Sequence, residues 1–272
     1  MTQADRIALG FFRHPREVGI YAIGATVVVY VPLVLSSINQ IFAPTISDLH
    51  TRHEHALLAR LFQSLTKWVV GMTLPLALVI IALARPLMRI FGGDFEVGWP
   101  ILVIGTLAQL VNCGVGSVGY LLLMSGNERR LLKVQIVMAL VMVGACIALV
   151  PLWGIVGASL AAAITTVGMN VWNLLEVRKV LGLSPYNRSY LRLLPPAIAT
   201  AAAMLVLRRY AGVFHHDWLT VGVALTLAYG IFAAVVLLSG LDADDKLIAK
   251  AIWSRVRGTL ISPGINAGAE GM

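Results

Sequence analysis

Three histidines, His50, His53 and His55, lie close together with Asp48 and Glu54 among them. These are metal-ligand residue types, but their spacing matches no ligand pattern such as H-E-x-x-H on one helical face. A solvated loop is the reading. His215 and His216, beside Asp217, are discounted in the same way. Gly114, Gly116 and Gly119 spell G-x-G-x-x-G. A dinucleotide site needs a strand before that run and an acidic residue about 20 positions after it. Here the run lies inside an apolar stretch, where small residues let helices approach closely. Neither motif carries chemistry.

Other polar residues are more informative. Asn39 and Gln40, Gln109 and Asn112, and Asn170 and Asn173 sit within long apolar stretches. A polar side chain is costly in lipid, so each faces a polar partner or a water-filled cavity. The ordinary reading is a hydrogen bond between helices, worth about 0.6 kcal/mol on average. The functional reading is the lining of a path. Arg85 and Arg89 stand one helical turn apart near the end of another apolar stretch. They either meet an anionic ligand or anchor the helix at the interface.

The elements that must hold these residues are set by composition. Of 272 residues, 58% are hydrophobic and only 12% charged; mean hydropathy is +0.84. A soluble domain carries about 25% charged residues, so water cannot solvate this chain as a globule. Disorder fails too, because disordered chains are polar and charge-rich. Cys113 and Cys146 both lie in apolar runs and offer no disulfide framework or zinc ribbon. The net charge of +8 fits a Lys/Arg excess facing anionic lipid rather than nucleic acid. The chain is an all-α integral membrane protein.

A crossing needs about 20 predominantly apolar residues. Seven stretches qualify, at roughly 18–46, 68–91, 97–124, 134–152, 153–175, 191–211 and 217–239. Together they predict a bundle of about seven transmembrane helices over 18–239. Pro151 and Gly154 break the fourth stretch from the fifth. The segment 1–17 reads as an outer loop or tail. Residues 240–258 read as a basic amphipathic helix on the cytoplasmic leaflet, from Leu247, Ile248, Ala251, Ile252 and Val256 at helical spacing. Residues 259–272 read as a disordered tail.

Alternate connections hold seven and fourteen of the 21 Lys and Arg residues. The positive-inside rule puts the richer set in the cytoplasm. That leaves the C-terminus inside and the N-terminus outside. Yet residues 1–17 carry Arg6, Arg13 and Arg16 and no signal-peptide core. Such a tail would have to cross the membrane unaided. The expectation is therefore that at least one span precedes residue 1, in a truncated or mis-started chain.

Apart from Asp217 at the very start of the last one, no Asp or Glu falls inside any of the seven stretches, which argues against a carboxylate cation site. No convergent set of acid, base or metal ligands appears, so no enzyme and no cofactor are expected.

The order of punctuation is a further guide. It runs through Val18-Gly19-Ile20-Tyr21, Pro44 with Leu49, and Pro75. It continues with Ile90-Phe91-Gly92-Gly93-Asp94-Phe95, Leu123-Met124-Ser125-Gly126-Asn127-Glu128-Arg129 and Pro151-Leu152-Trp153-Gly154-Ile155-Val156-Gly157-Ala158. Over about residues 5–255 this series resembles the C-terminal half of the polysaccharide exporters, the lipid-linked oligosaccharide flippases of the O-antigen, capsule and exopolysaccharide type. Multidrug and toxin extrusion transporters and peptidoglycan-precursor flippases belong to the same superfamily. The chain departs from the pattern at Gly144, Ala145 and Cys146, where an Asn is common.

The resemblance implies two six-helix bundles plus two further helices. This chain would begin in the outer loop before the eighth of fourteen helices. It implies a multi-pass protein of the bacterial inner membrane, moving a polyprenyl-pyrophosphate-linked oligosaccharide. Asn39, Gln40, Gln109, Asn112, Asn170 and Asn173 would then meet sugar hydroxyls, and Arg85 and Arg89 the pyrophosphate. Implied partners are membrane lipids, a missing N-terminal half or partner chain, and polysaccharide polymerase and export proteins. A cation-coupled multidrug antiporter and an inactive or scaffolding membrane fragment are the alternatives.

Overall fold

The computed structural model describes residues 4–210 and 217–239, and all regular structure among them is helical. The expected amphipathic helix at 240–258 and the tail at 259–272 lie outside the described residues, as do His215 and His216.

Helix α1 (Ala4–Phe12) leads through His14 into α2 (Pro15–Val29), which starts where Pro15 needs no N–H partner. Pro32 then interrupts the chain, and α3 (Leu33–Thr51) continues at a bend of 49°. The two together are long and apolar enough for one broken crossing. After a tight turn at His53 (φ 59°) comes α4 (His55–Ala82). Pro86 has no N–H to return to Ala82, and the helix yields at Leu83 before the short α5 (Ala84–Arg89). A 3-10 turn (Gly93–Gly98) feeds α6 (Trp99–Val115). Gly116, at φ 71°, separates α6 from α7 (Val118–Met124).

The next helix, α8 (Glu128–Leu181), has 54 residues and would be about 81 Å long if straight, against a hydrocarbon core of about 30 Å. It folds back instead. Gly154 has φ 55° and ψ −126°, which only glycine adopts readily. Arg130 bonds Glu176 at 2.8 Å, Met138 sits against Gly168, and Thr165 meets the Met142 sulfur at 3.4 Å. These pairs lie symmetrically about Trp153, so α8 is an antiparallel hairpin of two crossings. A second 3-10 turn (Arg188–Leu193) leads to α9 (Leu194–Tyr210) and α10 (Asp217–Ser239).

Five helices are long and apolar enough to cross a membrane, and the bent α2–α3 pair adds one more. With the α8 hairpin counted twice and the α2–α3 pair once, the described residues supply enough apolar helix for the seven crossings that the sequence predicts. Several boundaries differ. The second crossing begins at His55, so Arg60 and Lys67, expected in a loop, lie within α4, and Lys67 is buried. The third ends at Gly116 rather than running to residue 124. The stretch 1–17 is no loop among its described residues: Leu9 is fully buried, and α1 packs against α8 and α2.

Four apolar clusters hold the bundle, the smallest being Leu35, Val69 and Cys113 between α3, α4 and α6. One joins α1, α2, α6 and both α8 arms around Leu9, Tyr21, Ile101, Val150 and Ala158. A second joins α3, α4, α7 and the far part of α8 around Ile46, Phe62, Leu121 and Val177. The third fastens α9 and α10 to α4 through Val79, Met204 and Ala228. Outward positions such as Leu140, Ile147, Leu205 and Leu237 are exposed and apolar, as a lipid-facing surface requires.

Candidate functional site

The two ends of the bundle carry different chemistry. At one end Arg13 donates to the carbonyls of Val150 (3.4 Å) and Pro151 (2.8 Å) at the α8 reversal. Arg16 pairs with Asp94 at 2.9 Å. Arg89 reaches Glu96 (3.8 Å) and Asp217 (3.5 Å), and Arg85 lies 5.3 Å over the Trp99 ring. The connections grouped on one side by the sequence thus meet at one end. At the opposite end Arg52 pairs with Asp48 and Arg130 with Glu176.

The candidate path residues behave differently from one another. Arg89 is neutralised by two carboxylates, whereas Arg85 is exposed with an aromatic neighbour. Asn112 donates to Gln109 at 2.9 Å, since positions three apart share a helical face. Asn170 donates to the Thr166 carbonyl of its own helix at 2.9 Å and is buried. Asn173 is also buried, and its Oδ1 has no partner. Asn39 Oδ1 is likewise buried without a partner, while Gln40 beside it is exposed. Of the three pairs, only Gln109 and Asn112 are joined by a hydrogen bond among the described residues. No hydrogen bond joins the pair on α6 to the pair on α8 among the described residues. The open positions are Gln40 and Arg85.

The histidines bracket the α3–α4 turn, with ring centroids 5.7 Å (His50–His55) and 6.1 Å (His53–His55) apart. Among the described residues, no group of three or more His, Cys, Asp or Glu side chains is placed to hold a metal ion. Gly116 packs directly against Thr66 of α4, the close approach that small residues permit.

One carboxylate ahead of the seven stretches is buried. Asp5 is buried in the bundle, accepting a 2.6 Å hydrogen bond from the Tyr21 hydroxyl. Its partner Tyr21 belongs to the same apolar cluster as Leu9 and Cys146. A carboxylate therefore does lie within the helical bundle. Sequence reading missed it by taking 1–17 as a tail. The available signal was the spacing of Asp5 and Leu9, four apart on one helical face ahead of the His14-Pro15 turn. A second missed cluster is polar. Gln63 donates to the Ser184 carbonyl (3.1 Å), Asn187 to Gln63 (3.4 Å) and Tyr190 to the Gly114 carbonyl (3.2 Å), one turn from buried Lys67.

These features define an all-helical, multi-pass membrane bundle. No family model matches the chain, and no curated protein matches it in sequence. Among solved structures it is similar to the lipid II flippase MurJ in an inward closed conformation, with a TM-score of 0.68 and 16% identity. The similarity covers 86% of this chain and 50% of that one, so the chain spans about half the length of that flippase. At this identity the likeness is one of fold.

Proposed function

We propose that the chain is a bundle of a flippase that carries a polyprenyl-pyrophosphate-linked oligosaccharide outward across the bacterial inner membrane, for O-antigen, capsule or exopolysaccharide synthesis. The observation that carries the reading is the fold shared with a lipid II flippase over 86% of the chain. Transport of this kind involves no covalent step. Alternating access rocks one bundle against another, so a second bundle, from the same polypeptide or a partner chain, completes the cavity. Of the candidates Asn39, Gln40, Gln109, Asn112, Asn170 and Asn173, Gln40 is the amide open to the path, and Arg85 is the cation best exposed to a pyrophosphate. Arg89 acts chiefly as a tie. The Lys/Arg excess puts the Arg130–Glu176 end and the C-terminus in the cytoplasm, with the Arg13–Pro151 end outside. Polymerase and export proteins would take up the product.

Deleting the gene should leave lipid-linked oligosaccharide trapped on the cytoplasmic leaflet, read by periplasmic glycosidase protection in spheroplasts. Even distribution between leaflets would contradict the reading. Buried Asp5 favours a second one, a cation-coupled multidrug antiporter. Deletion would then sensitise cells to cationic dyes in a manner dependent on the proton or sodium gradient.

A further inference from the structure

Helix α3 has an exposed face unlike those of the other crossings. Its exposed positions are Leu33, Ser36, Ser37, Gln40, Ile41, Pro44, Ser47, Asp48 and Thr51, the three-and-four spacing of one helical stripe. Most carry hydroxyl, amide or carboxylate groups. The exposed face of α10 instead presents Leu219, Val223, Leu227, Leu237 and Leu238, and that of α9 presents Ile198, Leu205 and Val206. The buried face of α3 is apolar, with Leu35, Phe42, Ala43, Ile46 and Leu49. The helix is amphipathic inside a membrane bundle, with its polar side outward.

Hydrocarbon cannot satisfy that side, because it offers an unpaired polar group no hydrogen-bond partner. Ser36 and Ser37 donate to the carbonyls of Pro32 and Leu33, which leaves their oxygen lone pairs facing out. Gln40 has no such partner. One turn on, Pro44 lacks the N–H that would bond the Gln40 carbonyl, so side chain and backbone both present unmet groups there. Between Arg16–Glu17 and Asp48 the α2–α3 crossing carries no charge. Its middle therefore offers neutral donors and acceptors and no counter-ion for a phosphate.

We infer that the α3 stripe through Ser37, Gln40 and Ser47 is the hydrated wall of the translocation path, and that it binds the uncharged hydroxyls of a sugar head group rather than its pyrophosphate. The inference rests on the flippase reading for its ligand but not for its hydration.

The test has two arms, in the native full-length protein in its own membranes with Cys113→Ala and Cys146→Ala as background. Single cysteines at Ser37, Gln40 and Ser47 are compared with Leu205→Cys and Leu227→Cys for reaction with a charged, membrane-impermeant maleimide. Only a hydrated thiol ionises and reacts, so the stripe should label at least about tenfold faster than the lipid-facing controls. Equal, slow labelling, or labelling that appears only after detergent extraction, would overturn the hydrated wall. In the second arm, Gln40→Lys should lose surface polysaccharide at unchanged protein level, whereas the lipid-face control Leu205→Cys should keep it. Full export by Gln40→Lys would overturn recognition of neutral hydroxyls. If deletion leaves the lipid-linked pool unchanged while the stripe still labels, the flippase reading fails and the hydrated wall stands.

Discussion

The Tyr21 hydroxyl donates a 2.6 Å hydrogen bond to Asp5 Oδ2, joining α1 to α2 across sixteen residues of sequence. This contact places a carboxylate inside an apolar cluster that also includes Leu9, Cys146 and Ala158. A buried acid is retained there because the phenol supplies one donor and the Arg6 backbone N–H another at 2.9 Å.

Removing that donor should be felt. Tyr21→Phe leaves a buried acceptor short of its partner, at a cost of about 1–3 kcal/mol. Asp5→Asn keeps a carbonyl for Tyr21 and should cost less. Thermal unfolding of the purified protein in detergent ranks the two variants. If Asp5 couples transport to an ion gradient, Asp5→Asn folds normally yet loses gradient dependence in vesicles.

The α8 reversal depends on glycine at two positions. A Cβ on Gly157 would strike the Leu149 carbonyl, which is backbone and cannot swing aside. Gly154 needs its φ of 55° and also has the Glu17 carboxylate 2.9 Å from where a Cβ would stand. Gly157→Ala and Gly154→Ala should therefore reduce membrane accumulation sharply, each costing at least about 1–3 kcal/mol. Gly144→Ala, with open space around it, should be neutral or slightly stabilising, since alanine favours a helix. Immunoblots of membranes at matched expression separate these outcomes.

Charge at the Arg13 end divides into strong and weak ties. Arg89, Glu96 and Asp217 are all about a third exposed or more, so solvent screens their pairing. Arg89→Gln should change stability by less than about 1 kcal/mol. Arg13→Ala instead strips a cation from two carbonyls at the reversal and should cost about 1–2 kcal/mol. Melting temperatures of the two variants, compared in one detergent, check the order.

What the sequence made legible follows from the strength of each local rule. Pro151 with Gly154 announced the reversal, because proline and a left-handed glycine act on the backbone whatever surrounds them. The apolar runs located the crossings, since nothing else explains so few charges. Helix starts were less visible: α4 reaches back to His55 through Arg60 and Lys67, and charge counting took those residues for loop. Asp5 was hidden by context, for an acid near three arginines reads as a tail unless its burial is known. The α3 stripe was half visible in Asn39 and Gln40. Its serines look ordinary until exposure along the helix is set beside the apolar faces of α9 and α10.

The orientation of the bundle gives the last prediction. The structure groups Arg13, Arg16, Asp94, Pro151 and Asp217 at one end, and Asp48, Arg52, Arg130 and Glu176 at the other. Positive charge left in the connections resists translocation, so the end richer in Lys and Arg should stay in the cytoplasm. Reporter fusions after Asp94 and Trp153 should then show alkaline phosphatase activity, which needs the oxidising periplasm. Fusions after Asn127 and Ser184 should be inactive as phosphatase and fluorescent as green fluorescent protein. The opposite pattern at all four sites would invert the bundle and put Gln40 on the reverse course of the path. A mixed pattern would mean that the α8 arms do not both cross, which the Arg130–Glu176 bond at 2.8 Å argues against.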